Sequence, residues 1–264
     1  MDLALKDKVV VITGPAKGMG AAITLAFAGE GSQLVLAGRD TAAIEPVKKQ
    51  AEDLGAKAII VSCDVTDSGA CENVVTAAIE AFGGRIDVLA NIAGGSGPIG
   101  KTGAKTTQDE FDEIVHLNMR GPFNMIRAVA PVMQAQKYGK VVNIGGTFGM
   151  RGRAGRLAYS SSKWGLRGIT KSFALELGPH NINVNCVAPG MVDGPRFRTK
   201  VIPEMAQRLG ITEDEAIAKH ASDYALKRIS EGDDVAHATL FLASDAARQI
   251  TGVDIPVDGG WAVL

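Results

Sequence analysis

One tyrosine and one lysine stand four residues apart in the stretch LAYSSSKWGLRG, residues 157 to 168, among small residues and on a helical period. On a helix, positions i and i+4 project from the same face one turn apart, so the Tyr159 phenol and the Lys163 ammonium can converge on one point. A phenol titrates near ~10 in water and is a poor base at neutral pH; an adjacent ammonium stabilises phenolate and lowers that value. Such a pair can pass a proton to or from a substrate oxygen. A surface tyrosine ahead of a solvated lysine has the same spacing, so the rest of the chain must decide.

A second group is rich in glycine. The apolar run KVVVIT (8 to 13) leads into TGPAKGMG, which places Gly14, Gly18 and Gly20 at a strand-to-helix turn with Lys17 and Met19 between them. Glycines there let the backbone approach a pyrophosphate, and the helix N-terminus aims its free N–H groups at it. The spacing GxxxGxG differs from the GxGxxG fingerprint. A tight turn that uses glycine only for packing is the alternative.

The elements that must position these groups follow from hydrophobic period. Short β-branched runs recur at 8 to 13, 33 to 37, 57 to 62, 86 to 91, 140 to 145, 183 to 188 and 252 to 257, nearly all apolar on both faces. Strands of a sheet covered on both sides must read that way. Segments of helical period lie between them, at 18 to 30, 41 to 54, 67 to 82, 109 to 137, 157 to 178 and 233 to 243. This alternation predicts right-handed βαβ units: an α/β, Rossmann-type doubly wound parallel sheet of about seven strands with helices on both faces. Neither linker nor internal repeat interrupts it, so residues 1–264 read as one dinucleotide-binding domain. The interval 190–230 is far longer than a crossover turn needs and holds the helical stretch TEDEAIAKHA, which predicts a substrate lid.

Composition narrows the function classes. Lys+Arg number 28 against Asp+Glu 29, so no global basic field points to nucleic acid or an anionic membrane. Cys63, Cys71 and Cys186 are odd in number and without CxxC spacing, and MDLALKDKVV lacks a signal layout; a reduced, cytoplasmic protein is expected. No apolar run reaches the length of a membrane span. His116, His180, His220 and His237 show no metal-like clustering, so no metal is expected.

Taken in order, TGPAKGMG, CDVTD with Asp64 and Val65, NIAG at 91 to 94, HLNMRG with Asn118, YSSSK, and APGMV with Pro189 and Gly190 resemble the short-chain dehydrogenase/reductase family over essentially the whole chain. The resemblance implies that Asp64 and Val65 contact the adenine of a dinucleotide. It further implies that Asn91, Ala93 and Gly94 line the ribose side, and that Val192, after Pro189 and Gly190, meets the nicotinamide amide through its backbone. Tyr159 is then the acid/base, Lys163 also holds the ribose hydroxyls, and Asn118 fixes a water that joins Lys163 to a proton relay. An asparagine satisfying backbone groups at a helix irregularity is the other reading of Asn118.

Cofactor choice turns on the end of the second strand. A 2′-phosphate needs cations, whereas a free ribose diol prefers a carboxylate. In LAGRD, Gly38 stands where members of the family that prefer NAD place Asp, Arg39 follows, and Lys17 reaches the same side. NADP(H) is therefore expected over NAD(H), with Asp40 as the rival ribose ligand.

Two positions depart from the family pattern. The catalytic serine falls thirteen residues before the tyrosine, where this chain has Gly146; the next hydroxyl is Thr147, its candidate replacement. Asp193 and Gly194 occupy the place of the usual carboxamide-binding threonine. Near the pair, Arg151, Arg153 and Arg156 precede the helix, and Arg196, Arg198 and Lys200 begin the lid. Convergent guanidinium groups could clamp a carboxylate, a sulfonate or a phosphopantetheine; solvated loop charges or subunit contacts are the alternative. The expected activity is an NAD(P)-dependent interconversion of a secondary alcohol and a carbonyl. A 3-oxoacyl-thioester reductase is a second reading, and a cofactor-binding sensor without catalysis a third. The closing ITGVDIPVDGGWAVL places a strand and an apolar tail at the sheet edge, and the resemblance implies a homotetramer.

Overall fold

The computed structural model describes residues 2–262. Seven strands form one sheet in the order β3-β2-β1-β4-β5-β6-β7, and every neighbouring pair is parallel. They are β1 Val9–Thr13, β2 Gln33–Gly38, β3 Ala58–Ser62, β4 Val88–Asn91, β5 Gly139–Ile144, β6 Ile182–Pro189 and β7 Asp254–Val257. The crossovers carry helices α1 Met19–Gly29, α2 Thr41–Asp53, α3 Ser68–Ala81, α4 Gln108–Val115, α5 Gly121–Gln136 and α6 Leu157–Leu177. After β6 come α7 Ile202–Leu209, α8 Glu213–Ala221 and α9 Gly232–Ala243.

The period of two explains why the strands are apolar throughout. In β1, Val10 and Ile12 join the core under α1, α2 and α9, with Phe27, Ile44 and Val235. Val9 and Val11 join the opposite core under α3, α5 and α6, with Val74, Met133 and Leu177. Each large side chain buried in this way contributes about 1.5–3 kcal/mol. Strand order reverses between β1 and β4, and a doubly wound sheet opens its crevice beyond the C-terminal strand ends at that point. There the Thr13 hydroxyl accepts from the backbone N–H groups of Ile92 at 3.0 Å and Ala93 at 3.1 Å, which fixes the end of β4 against the end of β1.

Two expectations from period needed revision. The stretch 109 to 137 is not one helix: a π-turn, His116–Arg120, separates α4 from α5. Gly121 opens α5 where a Cβ would come within 2.7 Å of Val65 Cγ2, so the helix can approach the loop after β3 only without a side chain. The interval 190–230 carries two helices rather than one, and Phe197, Ile202, Ala206 and Ala216 give it a small core of its own. The first of these, α7, hides in sequence behind Pro203, which reads as a breaker but stands in the first turn, where proline is tolerated. The tail residues Val263 and Leu264 lie outside the described residues.

Candidate active site

From the end of β5 the chain runs through Gly145 and Gly146 into a 3-10 turn, Thr147–Gly149, that presses on α6. A Cβ at Gly149 would lie 2.9 Å from the Lys163 backbone, so glycine sets this approach. Lys163 is buried, and its ammonium donates to the Ile144 carbonyl oxygen at 2.7 Å. One turn earlier, the Tyr159 hydroxyl stands at the end of β5: a Cβ on Gly146 would lie 2.9 Å from it and 3.9 Å from the Pro189 carbonyl oxygen. The pair read from the sequence thus sits where β5 and β6 end. The family's serine position lies directly against the phenol, but carries no side chain. Thr147 is buried, and among the described residues no hydrogen bond joins its hydroxyl to Tyr159.

Asn118 lies in the π-turn and is buried. Its Oδ1 accepts from Gly95 N–H at 2.8 Å, and its Nδ2 donates to the Gly95 carbonyl at 3.0 Å and to Ser162 Oγ at 2.9 Å. Ser162 in turn donates to the Tyr159 carbonyl at 2.8 Å. The amide therefore staples the loop after β4 to α6 through Ser162, a residue the sequence reading passed over. A Cβ on Gly94 would lie 2.9 Å from Asn118 Oδ1 and 3.7 Å from Lys163 Nζ, so Gly94, Asn118 and Lys163 meet at one spot.

Burial governs the electrostatics. It pulls the Lys163 ammonium down to about 8 and pushes the Tyr159 phenol up. The charges that oppose the second effect belong to Arg156 and Arg196; the Arg156 guanidinium stands 4.7 Å from the Tyr159 ring centre, the Lys163 nitrogen 5.9 Å. Arg156, singled out in the sequence as one of the guanidinium groups ahead of the helix, precedes Tyr159 by three. The Cys186 thiol, pushed up to about 12 by burial, supplies no anion.

Along the rim, Gly14, Lys17, Met19, Gly20, Arg39, Asp64, Val65, Ala93 and Gly94 line one cleft of about 380 Å³. Its floor cannot accept side chains: a Cβ on Gly14 would lie 2.9 Å from Ala93 Cα, and one on Gly20 2.1 Å from the Gly14 carbonyl oxygen. Gly18 caps α1 in the left-handed region at φ 55°, and no side chain bonds the first-turn N–H groups. A helix start without a side-chain cap, beside a stripped backbone, fits a pyrophosphate. Asp64 accepts from Thr66 N–H at 2.9 Å and from its hydroxyl at 2.7 Å, bonds that hold the carboxyl below its usual range. The Arg39 guanidinium lies 4.0 Å from Asp64 and is largely exposed. Asp40 lines the same cleft, with one carboxylate oxygen accepting from Ala43 N–H at 3.0 Å as the cap of α2.

Some expected ligands stand apart from this cleft. Asn91 is buried and donates to Asn143 Oδ1 at 2.9 Å, so its side chain ties β4 to β5. Pro189 closes β6; Gly190 is wedged so that a Cβ would lie 3.0 Å from Asp258 Cβ, and Val192 bridges to Ser230. Asp193 is bound by Arg198, whose Nε donates to it at 2.7 Å, which removes Arg198 from the free cations.

Comparison with known proteins places this geometry among relatives. A family model described as enoyl-(acyl carrier protein) reductase matches residues 14–262. The chain is 35% identical over 263 residues to a 3-oxoacyl-(acyl-carrier-protein) reductase of Thermotoga maritima, covering 99% of this chain and 100% of that one. It is 36% identical over 261 residues to a galactitol 2-dehydrogenase of Agrobacterium fabrum, with 98% of each covered. The solved structure of levodione reductase superposes with a TM-score of 0.89 at 32% identity, again over 98% of each chain.

Proposed function

Because the chain belongs to the short-chain dehydrogenase/reductase family, whose members are NAD(P)-dependent oxidoreductases of alcohols and ketones, we propose that it interconverts a secondary alcohol and a carbonyl with Tyr159 as the proton-transferring residue. The observation that carries this reading is the Tyr159 hydroxyl at the ends of β5 and β6, one turn from the buried Lys163 ammonium. When bound, the nicotinamide supplies or accepts the hydride. Tyr159 gives its proton to the nascent alkoxide in reduction and takes it back in oxidation. Lys163 is held by the Ile144 carbonyl toward Gly94 and offers its remaining N–H groups to the ribose and to a proton relay. Asn118 acts by positioning, through Gly95 and Ser162. Thr147 is the adjacent hydroxyl offered to the substrate oxygen in place of the serine absent at Gly146.

The same reading assigns Gly14, Gly18, Met19 and Gly20 to the pyrophosphate, Asp64 and Val65 to the adenine, and Ala93, Gly94 and the backbone of Asn91, whose side chain is held by Asn143, to the ribose side. Pro189, Gly190 and Val192 take the nicotinamide end. NADP(H) is preferred: Arg39 and Lys17 are cations at the rim, and the rival ligand Asp40, on the same rim, has one carboxylate oxygen engaged in capping α2. Residues 1–264 act as one domain, with 190–230 as lid. The protein works as a cytoplasmic homotetramer; three free, buried cysteines suit a reducing compartment, and Phe123, Trp164 and Leu175 leave apolar surface on α5 and α6 for a neighbour. A 3-oxoacyl-thioester substrate is the second reading, favoured by the likeness to the Thermotoga maritima reductase. A panel of carbonyls, alcohols and acyl-carrier thioesters, assayed by nicotinamide absorbance with both cofactors, tests all of this. Cofactor binding without turnover of any of them would refute the catalytic reading.

A further inference from the structure

Beside Tyr159 lies a group of cations, two of which bear on its phenol, that have no anionic partner of their own among the described residues. The Arg156 guanidinium sits 4.7 Å from the Tyr159 ring centre and 5.9 Å from that of Phe148, and its Nε is buried without a hydrogen-bond partner. Arg153 stands 5.9 Å from the same Phe148 ring. Arg196, at the start of the lid, is near enough for its charge to act on both Arg156 and Tyr159. Among the described residues no carboxylate forms a salt bridge with Arg153, Arg156 or Arg196; the acidic neighbour at this end of the lid, Asp193, is taken by Arg198.

Arg153 and Arg196 are exposed and Arg156 is half-buried; the like charges of Arg156 and Arg196 repel one another, and the buried Arg156 Nε–H without an acceptor carries an uncompensated desolvation cost. An oxyanion placed among them removes both penalties, and a planar guanidinium fits it with two parallel bonds. Around the cations the walls are apolar: Phe148 packs edge-on to Tyr159 with ring centres 6.1 Å apart, and Trp261 lies 5.3 Å from Phe148.

We propose that the substrate is an anion, a carbonyl or alcohol compound with a carboxylate, sulfonate or phosphate a few bonds from the reacting carbon, bound by Arg156 with Arg153 and Arg196 while its apolar chain lies against Phe148 and Trp261. This rests on the oxidoreductase reading above and names its substrate class. It also gives Gly146 a use, since the guanidinium clamp then orients the substrate in the absence of a serine hydroxyl.

The test compares 4-oxopentanoate and 5-oxohexanoate with their methyl esters in wild type, Arg156→Met, Arg156→Lys and Arg196→Met. The wild type should favour acid over ester by tenfold or more in kcat/KM. Arg156→Met should cut that ratio by tenfold to a hundredfold through KM of the acid, the effect of one charge-assisted contact, with Arg156→Lys retaining part of it. Binding is read without turnover from thermal stabilisation by pentanoate against pentanamide in the cofactor-loaded protein. Stabilisation by the acid alone, lost in Arg156→Met, upholds the anion site even when no ketone is reduced, and the reaction assigned above then fails separately. Equal behaviour of acid and neutral partner in turnover and binding overturns the inference, as does an acid preference that survives both arginine substitutions.

Discussion

Replacing Lys163 by Met should abolish turnover and, at the same time, alter how stability depends on pH. Burial lowers this ammonium from its ordinary 10.5 to about 8, which at about 1.4 kcal/mol per pH unit means that the charged form opposes folding by about 3 kcal/mol. The direction follows from proton linkage. Below pH 8 both folded and unfolded chains hold the proton, and the full penalty stands. Between pH 8 and 10.5 the folded chain releases it while the unfolded chain keeps it, so stability rises with pH and the penalty disappears. Methionine has no such term, but it also gives up the charge-assisted bond to the Ile144 carbonyl, at about 1.5–3 kcal/mol. At pH 7 these nearly offset, so the variant should be as stable as wild type or up to ~2 kcal/mol more stable. The slope is the sharper quantity: the stability difference, variant minus wild type, should fall by about 2 kcal/mol between pH 7.0 and 9.5. Urea unfolding of both proteins at those two pH values and one protein concentration measures it, because other titrating groups cancel in the difference. Parallel pH profiles would refute the claim that Lys163 carries a desolvated charge.

Tyr159→Phe should abolish turnover with cofactor affinity nearly unchanged, since the ring still packs and only the transferable proton is lost; activity above about a tenth of wild type contradicts the assignment. Arg39→Ala or Lys17→Ala should weaken NADP(H) by roughly tenfold to a hundredfold and leave NAD(H) almost unaffected in cofactor titrations. Gly38→Asp should reverse the preference, with the Ile44 side-chain tip yielding slightly because the new Cβ lies 3.0 Å from it; wild-type preference for NAD(H) would remove Arg39 from its role. Gly146→Ala should lower kcat about tenfold by pushing the phenol a few tenths of an ångström, and an unchanged kcat would mean the tyrosine has slack. Thr147→Val should lower kcat by about tenfold where a positioned donor is lost; no change would return Thr147 to packing.

Local spacing made much of this site legible. Tyr159 and Lys163 are one helical turn apart, and the glycines of TGPAKGMG sit at a strand-to-helix turn; neither relation needs tertiary knowledge. The sheet was legible because strands buried on both faces have no polar alternation to hide them. Asn118 was harder, because its bonds to Gly95 and Ser162 exist only once α6 packs on the π-turn. Asn91 was read as a ribose ligand from its motif, yet its side chain faces Asn143 on the neighbouring strand, a register that sequence does not reveal. The capping role of Asp40 was legible: an acidic residue just before TAAIEP is an N-cap signal, and the carboxylate does cap α2.

The π-turn at His116–Arg120 constrains how this gene can vary. Such a turn holds one residue more than an α-helical turn. Losing one residue there would let α4 and α5 fuse into a continuous helix with better local hydrogen bonding. Each helix is locked by its own burial, however, Ile114 on one side and Met125, Val129 and Met133 on the other. Fusion would rotate one relative to the other by about 100°, which either lifts those core residues out of the sheet or swings Asn118 away from Gly95 and Ser162. The exposed His116 and Arg120 can accept other side chains without this consequence. The number of residues in this turn is therefore constrained more tightly than the identities of His116 and Arg120, whereas Asn118 is held by its own hydrogen bonds.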